Sequence, residues 1–207
     1  MKLRIGSSAS IALAALALGT ASANAGVLVG SAPSCDAQPL ATPFVPWLDY
    51  ASYTPLPAAD FESSADGWTL TGGAAVADGN EPFHVSGPGS SSLSVPSGGS
   101  AISPTICVGI EHPTMRFFAK RNSGGPLGLS TMRVDVIFES LLGSVTSLPI
   151  GVVTGSSSWQ PTLPMTVVAN LLALLPGEHT AVAFRFTPML GGSWSIDDAQ
   201  VDPYNRK

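Results

Sequence analysis

Glycine, proline and serine interrupt this chain so often that no long amphipathic helix fits between the breaks. From Asp66-Gly67 onward a turn signal recurs about every eight to twelve residues. The runs between the signals are short and alternating. In Thr114–Lys120, Met115, Phe117 and Ala119 oppose Arg116, Phe118 and Lys120. In 127–139, Met132, Val134, Val136 and Phe138 share one parity, against Thr131, Arg133, Asp135, Ile137 and Glu139. Such a strand buries one face and wets the other, with Ile137 as the one apolar residue on the wet side. Further strands are predicted over 59–62, 68–71, 74–76, 83–85, 92–95, 101–108, 148–153 and 179–186. Residues 165–175 are ambiguous: 165–169 read as a strand, and Leu171–Leu175 as a turn or bulge, although a helix also suits their composition. Nothing supplies the crossover helices that a parallel sheet needs. The prediction is an all-β, antiparallel β-sandwich.

The chain opens Met1-Lys2-Leu3-Arg4, runs apolar from Ile11 to Leu18, and reaches Ala23-Asn24-Ala25. A basic start, a short apolar run and a small-residue exit make residues 1–25 a secretory signal peptide, cleaved after Ala25, with Ala23 as a nearby alternative. The run is too short for a membrane span. The expected product is secreted, without a membrane span. The 207-residue chain carries a net charge of -5, and losing Lys2 and Arg4 makes it more acidic. With no basic cluster, nucleic acid is not an expected partner. Export also bears on the two cysteines, Cys35 and Cys107, which an oxidising compartment would join. The alternative is two buried thiols.

Residues 26–58 hold Pro33, Pro39, Pro43, Pro46, Pro55 and Pro57 among Phe44, Trp47, Leu48, Tyr50 and Tyr53. Proline at this density prevents a central strand, and the aromatics argue against disorder. The segment reads as an arm packed on a sandwich domain of residues 59–203, with 204–207 as a tail. A recognition peptide is the other reading, but Pro43 and Pro46 make a single P-x-x-P.

The strand Ser193-Trp194-Ser195-Ile196-Asp197-Asp198-Ala199-Gln200-Val201 poses a problem. Trp194, Ile196 and Asp198 share a parity, which places a carboxylate on the core face. Asp198 must be ionically satisfied, locally hydrogen-bonded, or carried off that face by a bulge.

Two pieces carry a family resemblance: Asp60-Phe61-Glu62 with Asp66-Gly67-Trp68, and Trp194-Ser195-Ile196-Asp197-Asp198. On these the chain resembles the jelly-roll carbohydrate-binding modules and the galactose-binding-like domains of secreted proteins. The resemblance implies a jelly roll and a structural calcium bridging the first and last strands, with Glu62, Asp198 and Asp60 as its ligands. Calcium needs six to eight oxygens, so backbone carbonyls would complete the shell. The plainer reading is that these carboxylates are solvated or locally hydrogen-bonded.

Sugar contact on such folds uses exposed aromatics with polar neighbours. The candidates are Trp159, Trp47, Tyr50, Tyr53 and His84. Trp159 lies in Ser156-Ser157-Ser158-Trp159-Gln160 and is the least core-like of them, whereas Trp68 and Trp194 sit in strand alternation and belong to the core. The histidines His84, His112 and His179 share no metal spacing, and no serine sits in G-x-S-x-G. The expectation is a non-catalytic exported sandwich of structural or surface-interaction type. The alternative is a carbohydrate-binding domain with a structural calcium, taking a polysaccharide or cell-surface component as partner. A groove lined by aromatics would favour the alternative; a smooth or patchily apolar surface would favour the first.

Overall fold

A computed structural model describes residues 38–109, 114–125, 128–139, 144–168 and 179–202. Its described strands are β1 Thr54–Pro55, β2 Thr69–Thr71, β3 Ala75–Asp78, β4 Ser91–Val95, β5 Ser100–Ile102, β6 Ile106–Gly109, β7 Thr114–Ser123, β8 Thr131–Glu139, β9 Val145–Val153, β10 Gln160–Pro161, β11 Met165–Thr166, β12 His179–Met189 and β13 Ser193–Asp202. They form two antiparallel sheets. The first runs β10-β7-β13-β4-β3, with β1 on β13 and β11 on β7. The second runs β2-β5-β12-β8-β9, with β6 on β12. The chain is therefore an all-β sandwich of jelly-roll type, and its connections pass repeatedly from one sheet to the other.

The core lies where the predicted apolar parities meet. Met115, Phe117 and Ala119 of β7 and Leu93 and Val95 of β4 face Val134 and Val136 of β8 and Phe184 and Phe186 of β12, all buried. Trp194 is fully buried, and its indole N–H donates to Ser130 Oγ at 2.8 Å, so the polar edge of the ring is satisfied inside the core. Trp68 is buried too, with its N–H on the Pro57 carbonyl at 3.0 Å.

Several local expectations are corrected. Residues 59–62 are not a strand but a turn, with Ala58 and Phe61 at positive φ and the Phe61 ring fully buried. Residues 83–85 are likewise turn backbone, with His84 at φ 51°. Ile137 is 3% exposed rather than wet. Its neighbour Asp135 is buried on the same outer face, where it accepts from Arg133 and Arg185. Phe118, on the outer face of β7, is fully buried because the arm packs over it: Phe44 stacks on Phe118 at 5.6 Å between ring centroids. Cys107 is buried on β6, and the arm's Gln38 donates to its carbonyl at 3.1 Å. Cys35 and Leu171–Leu175 lie outside the described residues, as do the predicted signal peptide and tail.

Candidate functional site

The outer face of the first sheet carries two polar arrangements, and both depend on a local break in regular structure. The first begins in the arm. Pro46 starts a 3-10 turn over Val45–Trp47, which ends where Leu48 adopts φ 62° and donates to the Val45 carbonyl. That reversal aims Asp49 back at the sheet. Asp49 Oδ1 accepts the Ala51 N–H at 3.1 Å, and Oδ2 accepts the Tyr53 hydroxyl at 2.8 Å and Arg116 Nη1. Burial alone would raise the Asp49 carboxyl, but the bonds from Tyr53 and Arg116 outweigh it and hold the group below its ordinary value. Burial, reinforced by the Asp49 charge, pushes the Tyr53 phenol up.

Arg116 is itself locked. Its Nε donates to the Thr162 carbonyl at 2.8 Å, and its guanidinium lies 4.3 Å from the Phe44 ring centroid. Around this ion pair, Trp47, Tyr50, Tyr53, Leu48 and Leu163 line a depression of about 430 Å³. Tyr50 is 71% exposed at its rim, Trp47 is half-buried, and Tyr53 is buried. Three of the five predicted contact aromatics thus converge on one surface. Trp159 does not join them at the rim. Gln160 pairs with Ala119 as β10 begins, and this turns the Trp159 ring into the cluster of Phe44, Tyr53 and Phe118, 9% exposed, with Lys120 Nζ 5.0 Å from its centroid. His84 is exposed on the neighbouring turn, 3.3 Å from Asn80 Nδ2.

The second arrangement answers the problem set by the β13 sequence. Asp197 pairs with Phe118 and Gln200 with Arg116, so Asp198 and Ala199 together oppose Phe117. This is a β-bulge, with Asp198 at φ 46°. The Asp198 N–H donates to the Ala59 carbonyl at 2.8 Å and to Asp197 Oδ1 at 3.0 Å. A bulge and local hydrogen bonding therefore act together, while Trp194 and Ile196 keep their core places.

The bulge gathers buried acids. Asp197 and Glu81 are fully buried, and Asp198 is 4% exposed. Glu81 donates its N–H to Asp197 Oδ2 at 3.0 Å, and its own carboxylate accepts the Phe83 and Val85 amides. Burial, with the Asp198 and Glu81 charges adding, pushes Asp197 up to about 8. Burial, with Glu81 and Asp60 adding, pushes Asp198 up to about 7 against a hydrogen bond from Ser86. No described lysine or arginine forms an ion pair with the three.

Of the expected calcium ligands, Asp60 lies near Asp198, whereas Glu62 accepts the Ser90 and Ser91 amides at 2.9 Å. The Glu81 and Asp197 oxygens accept backbone amides, and among the described residues no group of three or more acids, histidines or cysteines is placed to hold a metal. Glu81 was not among the residues singled out from the sequence. The only signal for it was a carboxylate in a turn-rich stretch, Asp78-Gly79-Asn80-Glu81-Pro82, which does not mark burial.

No protein-family model matches this chain, and no curated protein matches it. Solved structures do. One is the Clostridium thermocellum endo-1,4-beta-D-xylanase 10B, comprising CBM22-1 and GH10 modules and complexed with xylohexaose: TM-score 0.50, 15% identity, covering 70% of this chain and 27% of that one. The tandem CBM22-1-CBM22-2 domain of Paenibacillus barcinonensis Xyn10C gives 0.47 at 12% identity, over 69% of this chain and 43% of that one. The CBM22-1 xylan-binding domain of the same enzyme gives 0.45 at 12% identity, over 67% and 86%. At these identities the comparison concerns fold alone: this chain is an antiparallel β-sandwich similar to part of the Clostridium thermocellum xylanase structure.

Proposed function

We propose that this chain is an exported, non-catalytic polysaccharide-binding sandwich, and that the depression around Tyr50 is its glycan contact. The convergence of Trp47, Tyr50 and Tyr53 beside the Arg116–Asp49 ion pair carries the reading. An exposed phenol ring offers a rigid apolar face to a pyranose, and the largely buried ion pair beneath holds the arm that presents it. By contrast, the outward positions of β12, β8 and β9, among them Ala183, Arg185, Arg133, Asp135, Ser147 and Val152, include no tryptophan, tyrosine or phenylalanine among the described residues. Among the described residues, the surface lined by such rings is therefore on the arm side.

Affinity electrophoresis in gels containing soluble polysaccharides tests this. Xylan comes first, because the similar xylanase structure is described as a xylohexaose complex. Retardation that is lost in Tyr50→Ala, with an unchanged melting temperature, is the expected result. If no glycan in a broad panel retards the chain, the structural or surface-interaction reading replaces this one.

A structural calcium is a separate reading. Three buried acids without a cationic partner among the described residues support it, and a carboxylate oxygen that accepts one amide keeps a lone pair for an ion. Melting in EDTA, with and without millimolar calcium, is its test: a rise that vanishes in Asp198→Ala is expected if the ion binds there.

A further inference from the structure

A second cavity, of about 760 Å³, lies beside the bulge, between the arm and the turn that precedes β2. Its walls are Pro39, Leu40, Pro55, Leu56 and Pro57, and its polar lining is Asp60, Ser63, Ser86, Asp198 and Gln200. Gln200 is 3% exposed, and its Oε1 has no hydrogen-bond partner. A buried acceptor left unpaired is costly, and native structures rarely keep one without a reason. The cavity thus combines an unused amide oxygen, two carboxylates, hydroxyls and an apolar wall. No described lysine or arginine lines it.

We infer that this cavity binds a basic side chain of a partner polypeptide, with a lysine ammonium or arginine guanidinium reaching Asp60, Asp198 and Gln200 Oε1 and its methylene stem lying along the prolines. The complementarity is chemical. The lining offers mainly acceptors, and an ammonium offers only donors. Calcium needs six to eight oxygens around it, whereas an N–H donor needs acceptors from a few directions only. Proline and leucine walls favour a bare methylene stem over the hydroxyl-studded ring of an amino sugar. The inference is independent of glycan binding at Tyr50, which lines the other depression.

The test is NMR titration of the isotope-labelled chain with Nα-acetyl-lysine methylamide and its arginine analogue. The controls are the uncharged norleucine analogue, a glucosamine trimer and calcium chloride. Saturable shifts of the Gln200 side-chain amide with a basic probe, and none with norleucine, are expected. Asp60→Asn and Gln200→Leu should each weaken binding about tenfold, the usual size for losing a charged hydrogen bond. Asp60 is exposed, so its variant keeps the fold, and melting curves for both variants establish this. An equal response to norleucine, a response to the glucosamine trimer or to calcium alone, or no saturable response to either basic probe would overturn the inference.

Discussion

Asp198 combines two unfavourable states in one residue: left-handed backbone and a buried carboxyl. Asparagine tolerates that backbone at least as well and cannot ionise. The pH dependence follows from the neighbouring pair. In the unfolded chain both acids titrate near 3.8, whereas in the fold Asp197 is pushed up to about 8 and Asp198 to about 7. Their contribution to stability is thus fully present below about pH 4 and is lost as pH rises through 7 to 8. Asp49 works in the opposite direction: its lowered value adds stability at neutral pH that fades in acid. Asp198→Asn is expected to stabilise the fold by about 2 kcal/mol at pH 8 and hardly at all at pH 4, read from urea unfolding at both. A gain of equal size at both pH values would show that ionisation is not the cause. The sequence made the Asp198 conflict visible, because a parity clash is a local property. It did not reveal Glu81 as the third acid, because that contact joins residues 116 positions apart.

Strands with clean alternation were legible. Met132 to Phe138 and Val182 to Phe186 face the core as their parity demands. What alternation could not report was a second layer on the outer face. Phe118 shares its strand face with Arg116 and Lys120, and Trp159 lies between Ser158 and Gln160, yet both are buried against Phe44 and Tyr53, which come from the arm. Phe118→Ala should cost about 3 to 5 kcal/mol and loosen the arm, seen as faster amide exchange over residues 41–53. Exchange that stays slow there would show that the arm holds without this ring. Edge strand β9 carries its own protection: Pro149, Gly151 and a register irregularity against Val134 and Asp135. Just beyond it, a Cβ added at Gly155 would lie 2.6 Å from Trp194 Cζ3. Gly155→Ala should therefore cost about 1 to 3 kcal/mol by overpacking, measured as a drop in denaturation midpoint. An unchanged midpoint would mean that the loop shifts freely off the indole.

For the whole molecule, the expected Cys35–Cys107 bond would close a loop of roughly 70 residues, worth about 4 kcal/mol in the chain-entropy account. Reductant should lower the melting temperature, and thiol titration of the native chain should find no free thiol; two titratable thiols in the denatured, unreduced chain would refute the bond. The position of β13 sets a further condition. It lies between β7 and β4 in the first sheet, although it is the last of the described strands to be synthesised. Until residue 202 has been made, the partners on either side have no shared neighbour, and the first sheet remains two separate pieces. Almost every stabilising contact of that sheet is thus long-range in sequence. A nascent chain of this design therefore cannot complete its first sheet before residue 202 has been made, and the facing edges of β7 and β4 stay open until then.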